Sequence, residues 1–353
     1  MSSIKKTDHY YLIDGSGYIF RAYYALPPLS RKSDGLPIGA VSGFCSMLFK
    51  LLEDSRSDDS TNKPTHFAVI FDSARKNFRN EIFKDYKANR AEAPEDLAPQ
   101  FEYIRKSVKA FNLPSIELLN YEADDLIATY SKKIIEAGAK VTIISSDKDL
   151  MQLVSNKIRL FDPMKSKVIG EKEVIEKFGV KPEQVIDVQS LAGDSSDNVP
   201  GVPGIGIKTA AELIKKYKTL ENLLNKASEI PQNKRRETLL SNKDKAVISK
   251  QLVTLKDDVP LKNNVSDFII KDINKDKLYE FLREMEFNRL LSQAISFYGE
   301  PTSAETKKKD FTKKNIINTK SYKTISESHQ FDELLKQLNE RSIVAVDTET
   351  SSL

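Results

Sequence analysis

The chain has 353 residues, 39% of them apolar, which is enough for more than one core and excludes a disordered or fibrous protein. No apolar run reaches membrane-spanning length, the N-terminus MSSIKKTDHYY lacks the apolar centre of a secretory signal, and the single cysteine, Cys45, lies in the helix-like VSGFCSMLFKLL. A cytoplasmic chain without disulfides is expected.

The net charge of +4 is a small difference between 55 basic and 51 acidic residues, so placement matters more than the total. His9, His66 and His329 form no ligand-like group, which argues against a zinc site and against histidine-based nucleophilic catalysis. In chain order, Tyr10 to Ile13 reads as a strand that delivers Asp14 into the glycine-bearing turn IDGSG. Phe20, Arg21, Tyr23 and Tyr24 follow, residues that suit nucleic-acid contact and equally suit ordinary core and surface positions. Residues 40–54 read as a helix, DDSTNKP as a polar loop, and Phe67 to Phe71 as a second strand ending at Asp72, which sets up an α/β alternation.

Directly after Asp72 comes RKNFRNEIFKDYKANR, in which Lys76, Arg79, Phe83, Lys87 and Arg90 would share one face of a helix. Such charge is ordinarily a solvated face. Beside an acidic strand end, however, a cationic element is what a phosphodiester substrate needs. A loop bracketed by Pro94 and Pro99 leads to the helical PQFEYIRKSVKAF.

The stretch from Tyr121 to Leu153 puts an acidic cluster at each end of one helix-strand unit. Glu122, Asp124 and Asp125 open a helix, Gly138 ends it, and the β-branched KVTIIS reads as a buried parallel strand followed by Asp147 and Asp149. Carboxylates at helix starts are commonly caps, and those after strands are commonly turn formers. With Asp14, Asp72 and the Asp194 and Asp197 of GDSSDN added, capping no longer accounts for the set. In an open parallel sheet these positions face one crevice, and so many carboxylates gathered there would repel one another without divalent cations.

Beyond this unit, IRLFD, PMKSK and EKEVIEKFG read as strand, turn and helix. Gly201 to Ala210, GVPGIGIKTA, joins a glycine turn to a helix beginning near Lys208. That arrangement is a hairpin between helices suited to duplex backbone; no strand of the type that a dinucleotide-binding turn requires precedes it. Residues 220–300 read as mainly helical, 301–319 as a lysine-rich linker, and 320–353 as an amphipathic helix plus the strand-like SIVAVDTETSSL, the expected start of a second domain.

In IDGSGYIFRAYYAL, FDSARKNFRNEIFKDYKANR, EADDLIA, SSDKDLMQLV and LAGDSSDNVPGVPGIGIKTA, residues 8–298 resemble the 5′ nuclease (5′-3′ exonuclease, flap endonuclease) region of bacterial DNA polymerases of the polymerase I family. The tail, with Asp347 and Glu349, is similar to the first motif of the 3′-5′ exonuclease-like domain that follows in those polymerases. Ile207 departs from the family by standing where relatives carry a polar or charged residue.

The resemblance implies an α/β fold of the PIN and flap-nuclease type. It has a mostly parallel central sheet flanked by helices in residues 1–185, a helical arch near 73–95, and a helix-hairpin-helix DNA-binding region in 186–300. It implies two Mg2+ or Mn2+ ions, one held by Asp14, Asp72, Glu122 and Asp124 and the other by Asp125, Asp147, Asp149, Asp194 and Asp197, in keeping with hard oxygen ligands. Lys87 and Arg90 would be the catalytic cations at the scissile phosphate. Arg79, Gly201, Gly204, Gly206, Lys208 and Thr209 would contact DNA, and in relatives the hairpin also binds a potassium ion. The implied substrates are DNA with 5′ flaps, nicks or RNA primer ends, met in replication and repair by a monomer. Competing readings are a non-catalytic binder of nicked or flapped DNA, against which the full acidic set argues, and an RNA-directed PIN-type nuclease, which gives no reason for the hairpin.

Overall fold

The computed structural model describes residues 4–57, 63–302 and 324–339. Its centre is a six-stranded sheet made of β1 (His9–Asp14), β2 (His66–Ile70), β3 (Ser115–Ile116), β4 (Lys140–Ile144), β5 (Ile158–Asp162) and β6 (Lys167–Ile169), in the order β3-β2-β1-β4-β5-β6. Every pairing is parallel except β5 with β6. All of β2 is buried and only Lys140 of β4 is exposed, because helices cover both faces.

The side chains alternate between the two faces. Leu12, Ile70 and Ile143 join one apolar cluster with Leu126, Ile127 and Ile134 of α5 (Ala123–Glu136). That cluster runs on through α6 (Glu171–Phe178), α7 (Val185–Ala192) and α8 (Ile207–Tyr217), so the sheet and the start of the helical region share one core. Ile13, Val69 and Ile144 point the other way, into a cluster with α1 (Gly15–Ala25), α2 (Gly39–Ser57) and α4 (Gln100–Ala110). The order of the strands reverses between β1 and β4, and in such sheets the crevice beyond the carboxyl ends at that point is the ligand site.

The segment expected to be a basic helix is not one. Only α3 (Arg79–Ile82) is helical there, and the chain then passes through turns to residue 89, with Lys87 itself at φ 56, in the left-handed region. The expected common face of Lys76, Arg79, Phe83, Lys87 and Arg90 is therefore absent, since the local pattern is overridden by tertiary contacts. β3 and β6 had no expectation; at two and three residues they are too short for a period to show.

After α8 the chain is helical as expected: α9 (Leu220–Asn225), α10 (Asn233–Ser241), α11 (Lys243–Val253), α12 (Lys275–Glu284) and α13 (Asn288–Tyr298). The last two bury Leu278, Tyr279, Leu282 and Met285 against α2 and α4. Residues 1–303 form one compact unit and 304–353 a second. In the second, the expected amphipathic helix is Ser328–Asn339, while Asp347 and Glu349 lie outside the described residues. No helix among the described residues is long and apolar enough to cross a membrane.

Candidate active site

Beyond the carboxyl ends of β1, β2 and β4 lies a cavity lined by eight of the expected carboxylates: Asp14, Asp72, Glu122, Asp124, Asp147, Asp149, Asp194 and Asp197. Asp14 ends β1 and caps α1. Its Oδ1 accepts the Gly17 N–H at 2.8 Å, and its Oδ2 accepts the Ser145 hydroxyl at 2.9 Å. A Cβ on Gly17 would stand 2.4 Å from Asp14 Oδ2, so a side chain there would push the carboxylate away. Asp72, two residues beyond β2, receives the Ala123 N–H at 2.8 Å at the start of α5, and its own N–H donates to Ser16 Oγ at 2.9 Å. Asp147 is placed by Ser145, whose hydroxyl accepts its N–H at 3.0 Å, and Asp149 accepts from the Gln189 side chain. Asp194 and Asp197 come from the turn after α7, closed by the Asp194–Val199 bridge.

Burial pushes Asp14 up to about 6, with the charges of Asp147 and Asp72 adding to the effect. Asp149 is pushed up to about 7 by burial and by Asp147, and Asp124 well above the usual carboxylate range by burial and then by Asp147 and Asp14. This wall of the cavity carries more negative charge than the protein neutralises.

The opposite wall is cationic. Lys87 Nζ pairs with Glu122 Oε1 and lies 3.6 Å from Asp197 Oδ2, and Arg90 pairs with Asp197; Lys148, which does not line the cavity, pairs with Asp194. Burial works against charge on Glu122, but Lys87 and Arg79 outweigh it and hold this carboxyl below its usual range. For Lys87 the same contest ends in the opposite direction, with burial outweighed by Glu122 and the pKa raised. Among the described residues no three carboxylates already stand as a closed ligand set. The donor set is nonetheless all oxygen, half-buried and partly unbalanced in charge, which fits hard divalent cations.

Two expectations fail here. Asp125, expected as a metal ligand, has no exposure and is absent from the cavity wall. Both its oxygens bind the Arg79 guanidinium, at 2.7 and 2.8 Å, and its Oδ2 also accepts the Glu122 N–H at 3.1 Å. Consecutive helical residues point about 100° apart, so Asp124 and Asp125 could not both face the crevice. Arg79, expected on DNA, has no exposed surface although it stands in the lining of the cavity, and its donors are taken up by protein acceptors.

Gly201, Gly204, Gly206, Lys208 and Thr209 are away from the cavity, at the entry to α8. A Cβ at Gly204 or Gly206 would meet nothing, and Lys208 is exposed, so backbone and charge there face open space. Gly201 has another reason to be glycine: at φ 58 it packs on Gly193, and a Cβ would stand 2.5 Å from the Gly193 nitrogen.

Residues without an expectation are Ser145, Lys148, Gln189 and Tyr86, whose hydroxyl donates to Glu122 Oε2 at 3.1 Å. Of these only Tyr86 and Lys148 had a visible signal, each being next to an expected site residue.

The model of the 5′-3′ exonuclease N-terminal, resolvase-like domain matches residues 9–179, and that of the 5′-3′ exonuclease C-terminal SAM fold matches 180–276. A 5′-3′ exonuclease of Aquifex aeolicus is 39% identical over 288 residues, which cover 82% of this chain and 96% of that protein. DNA polymerase I of Rhizobium leguminosarum is 57% identical over 287 residues, 81% of this chain but only 28% of the polymerase, so the chain spans under a third of that relative.

In fold, the chain is similar to the T5 5′-exonuclease solved with bound zinc, at a TM-score of 0.59 and 23% identity over 79% of this chain and 98% of that one. It is also similar to the catalytic core of Rad2 in complex with DNA substrate, at a TM-score of 0.55 and 14% identity over 85% and 95%. Two family models in tandem and a relative matched over nearly its whole length show the family: the chain belongs to the 5′-3′ exonuclease family of phosphodiester-hydrolysing nucleases.

Proposed function

We propose that the chain is a structure-specific DNA nuclease that removes 5′ flaps and RNA primer ends during replication and repair. It would cut both as an exonuclease and as a flap endonuclease, acting as a monomer in the cytoplasm. The observation that carries this reading is the single cavity where eight carboxylates from separate segments meet Lys87 and Arg90. Asp14, Asp72, Glu122 and Asp124 would hold one Mg2+ or Mn2+ ion, and Asp147, Asp149, Asp194 and Asp197 a second. When bound, two such cations supply a nucleophile at neutral pH and offset charge on the scissile phosphate.

The protein's own groups do the rest. A phosphodiester entering the cavity competes with Glu122 and Asp197 for Lys87 and Arg90. These donors then stabilise the charge that grows on the phosphate oxygens in the transition state. The open backbone at Gly204 and Gly206 and the amides at the start of α8 suit the phosphates of the duplex beside the cut. The zinc-bound T5 exonuclease and the DNA-bound Rad2 core support a divalent cation and a DNA substrate, by likeness of fold. A potassium ion at the hairpin has the family resemblance alone as its support.

The test is incubation with a 5′-flap duplex, in magnesium and in excess chelator. Cleavage near the junction, leaving a 5′-phosphate and a 3′-hydroxyl and lost in chelator, is expected. Equal product in chelator would sink the cation reading, and binding without any product in magnesium would leave a non-catalytic binder.

A further inference from the structure

Arg79 is a large cation with no exposure, and its five N–H groups all have acceptors. Nε donates to the Leu252 carbonyl at 2.8 Å. Nη1 donates to Asp125 Oδ2 at 2.8 Å and to Glu122 Oε2 at 3.2 Å, and Nη2 to Asp125 Oδ1 at 2.7 Å and to the Thr254 carbonyl at 3.2 Å. Asp125 Oδ1 also accepts the Lys256 N–H at 2.9 Å.

Three parts of the chain therefore meet on one guanidinium: the basic segment at α3, the first turn of α5, and the end of α11. A cation beside the last carbonyls of a helix answers groups that have no partner within that helix. The surroundings repeat the junction in apolar form. Tyr86 and Phe83 of the basic segment pack with Val199, Ile186 of α7, and Ile248, Leu252 and Val253 of α11. Leu252 and Val253 also line the carboxylate cavity.

We propose that Arg79 is a positioning residue that couples engagement of duplex DNA on the helical region to the placement of Glu122 and Lys87 at the cleavage site. The proposal rests on the DNA-nuclease reading above. The α11 helix packs against both α7 and α3, so a shift of the helical region on meeting a duplex reaches the Leu252 and Thr254 carbonyls. A packed interior transmits such a shift rather than absorbing it. The guanidinium carries it to one oxygen of Glu122, whose other oxygen holds Lys87. Lysine cannot stand in, because a point charge with three donors cannot serve the five acceptors that the planar guanidinium reaches.

The experiment compares single-turnover cleavage of a 5′-flap duplex with cleavage of a single strand of the same 5′ sequence, for the unaltered chain, Arg79→Lys and Asp125→Asn. Duplex affinity and thermal melting are measured beside it. Both rates are expected to fall in the variants, but the flap rate more, so that their ratio drops by about 5- to 150-fold, the usual span of a coupling between sites, while duplex affinity holds. A common fall in both rates, or a loss of affinity alone, overturns the coupling and leaves Arg79 a structural residue.

Should neither variant fold, amide exchange in the unaltered chain decides. Binding a flapless duplex should increase protection of the Asp125 and Lys256 amides, and no change there sinks the proposal. Absence of cleavage by the unaltered chain on either substrate would instead remove the nuclease reading.

Discussion

Two elements expected to meet DNA, the basic segment 75–90 and the glycine hairpin 201–209 whose one basic residue is Lys208, are used by the fold in opposite ways. The first turns its cations Arg79 and Lys87 inward, while Arg75, Lys76, Lys84 and Arg90 stay exposed. Arg79 is sealed and the Lys87 side chain is only 15% exposed, with its N–H held by the Asp197 carbonyl at 2.9 Å and its ammonium by Glu122. The second is left outside, with Lys208 exposed and Gly204 and Gly206 facing open space. Charge that already has protein partners binds a substrate only by exchange, which suits a group acting as the reaction proceeds. Charge facing water binds before anything reacts.

The most severe way to break this contrast is to disable the site that the first stretch serves. Asp147→Ala should bring cleavage to background while leaving DNA binding intact or tighter, since a lost carboxylate repels phosphate less. A variant that still cuts normally takes Asp147 out of the site. Next in size, Lys87→Ala should lower the single-turnover rate by about 10²- to 10³-fold, as for a donor acting on developing charge, with little change in affinity. Affinity lost at an unchanged rate would make Lys87 a surface-type contact and erase the difference between the stretches.

How far the sequence revealed this contrast depends on the range of the interactions. The strand-end positions of Asp14, Asp72 and Asp147 were legible because a buried β-branched run followed by a carboxylate is a local pattern, and parallel topology brings such ends together. The fate of Asp125 was not legible, because the opening of a helix is equally a place for caps and for ligands, and the deciding partner, Arg79, is 46 positions away. The burial of Arg79 itself depends on the carbonyl of Leu252, 173 positions on. The helical face expected for 76–90 failed for a related reason. Its backbone is held in turns by distant partners such as Asp197, against the local spacing.

Acidity provides a third, milder probe. Asp14 and Asp149 keep their protons to about 6 and about 7, against a usual aspartate value near ~4 in the unfolded chain. The folded chain thus holds more protons between those values, so this contribution to stability is present below pH ~4 and is lost as pH rises through about 6 and 7. Glu122, held low by Lys87 and Arg79, acts in the reverse sense, and its contribution is lost as the solution is acidified through its folded value. Without divalent cations, the melting temperature should fall between about pH 5 and 7, and magnesium should flatten the fall. A flat profile in both conditions would mean that the carboxylate wall is not charge-strained.

The smallest effect belongs to the outward stretch. Lys208 stands at the start of α8, exposed beside the open Gly206 backbone, and among the described residues its side chain makes no hydrogen bond or ion pair. If it meets a duplex phosphate, it does so by displacing a condensed counterion, and each such contact adds about 0.9 to the slope of log affinity against log salt. Lys208→Glu should therefore weaken duplex binding and flatten that slope by about one contact's worth. The cleavage rate with enzyme in saturating excess should stay as it was, because on the proposed reading the scissile phosphate would enter the cavity that Lys208 does not line. A slope that does not change takes the hairpin out of the DNA interface, and a fall in the saturated rate would show that the outward charge, like the inward one, acts in the reaction itself.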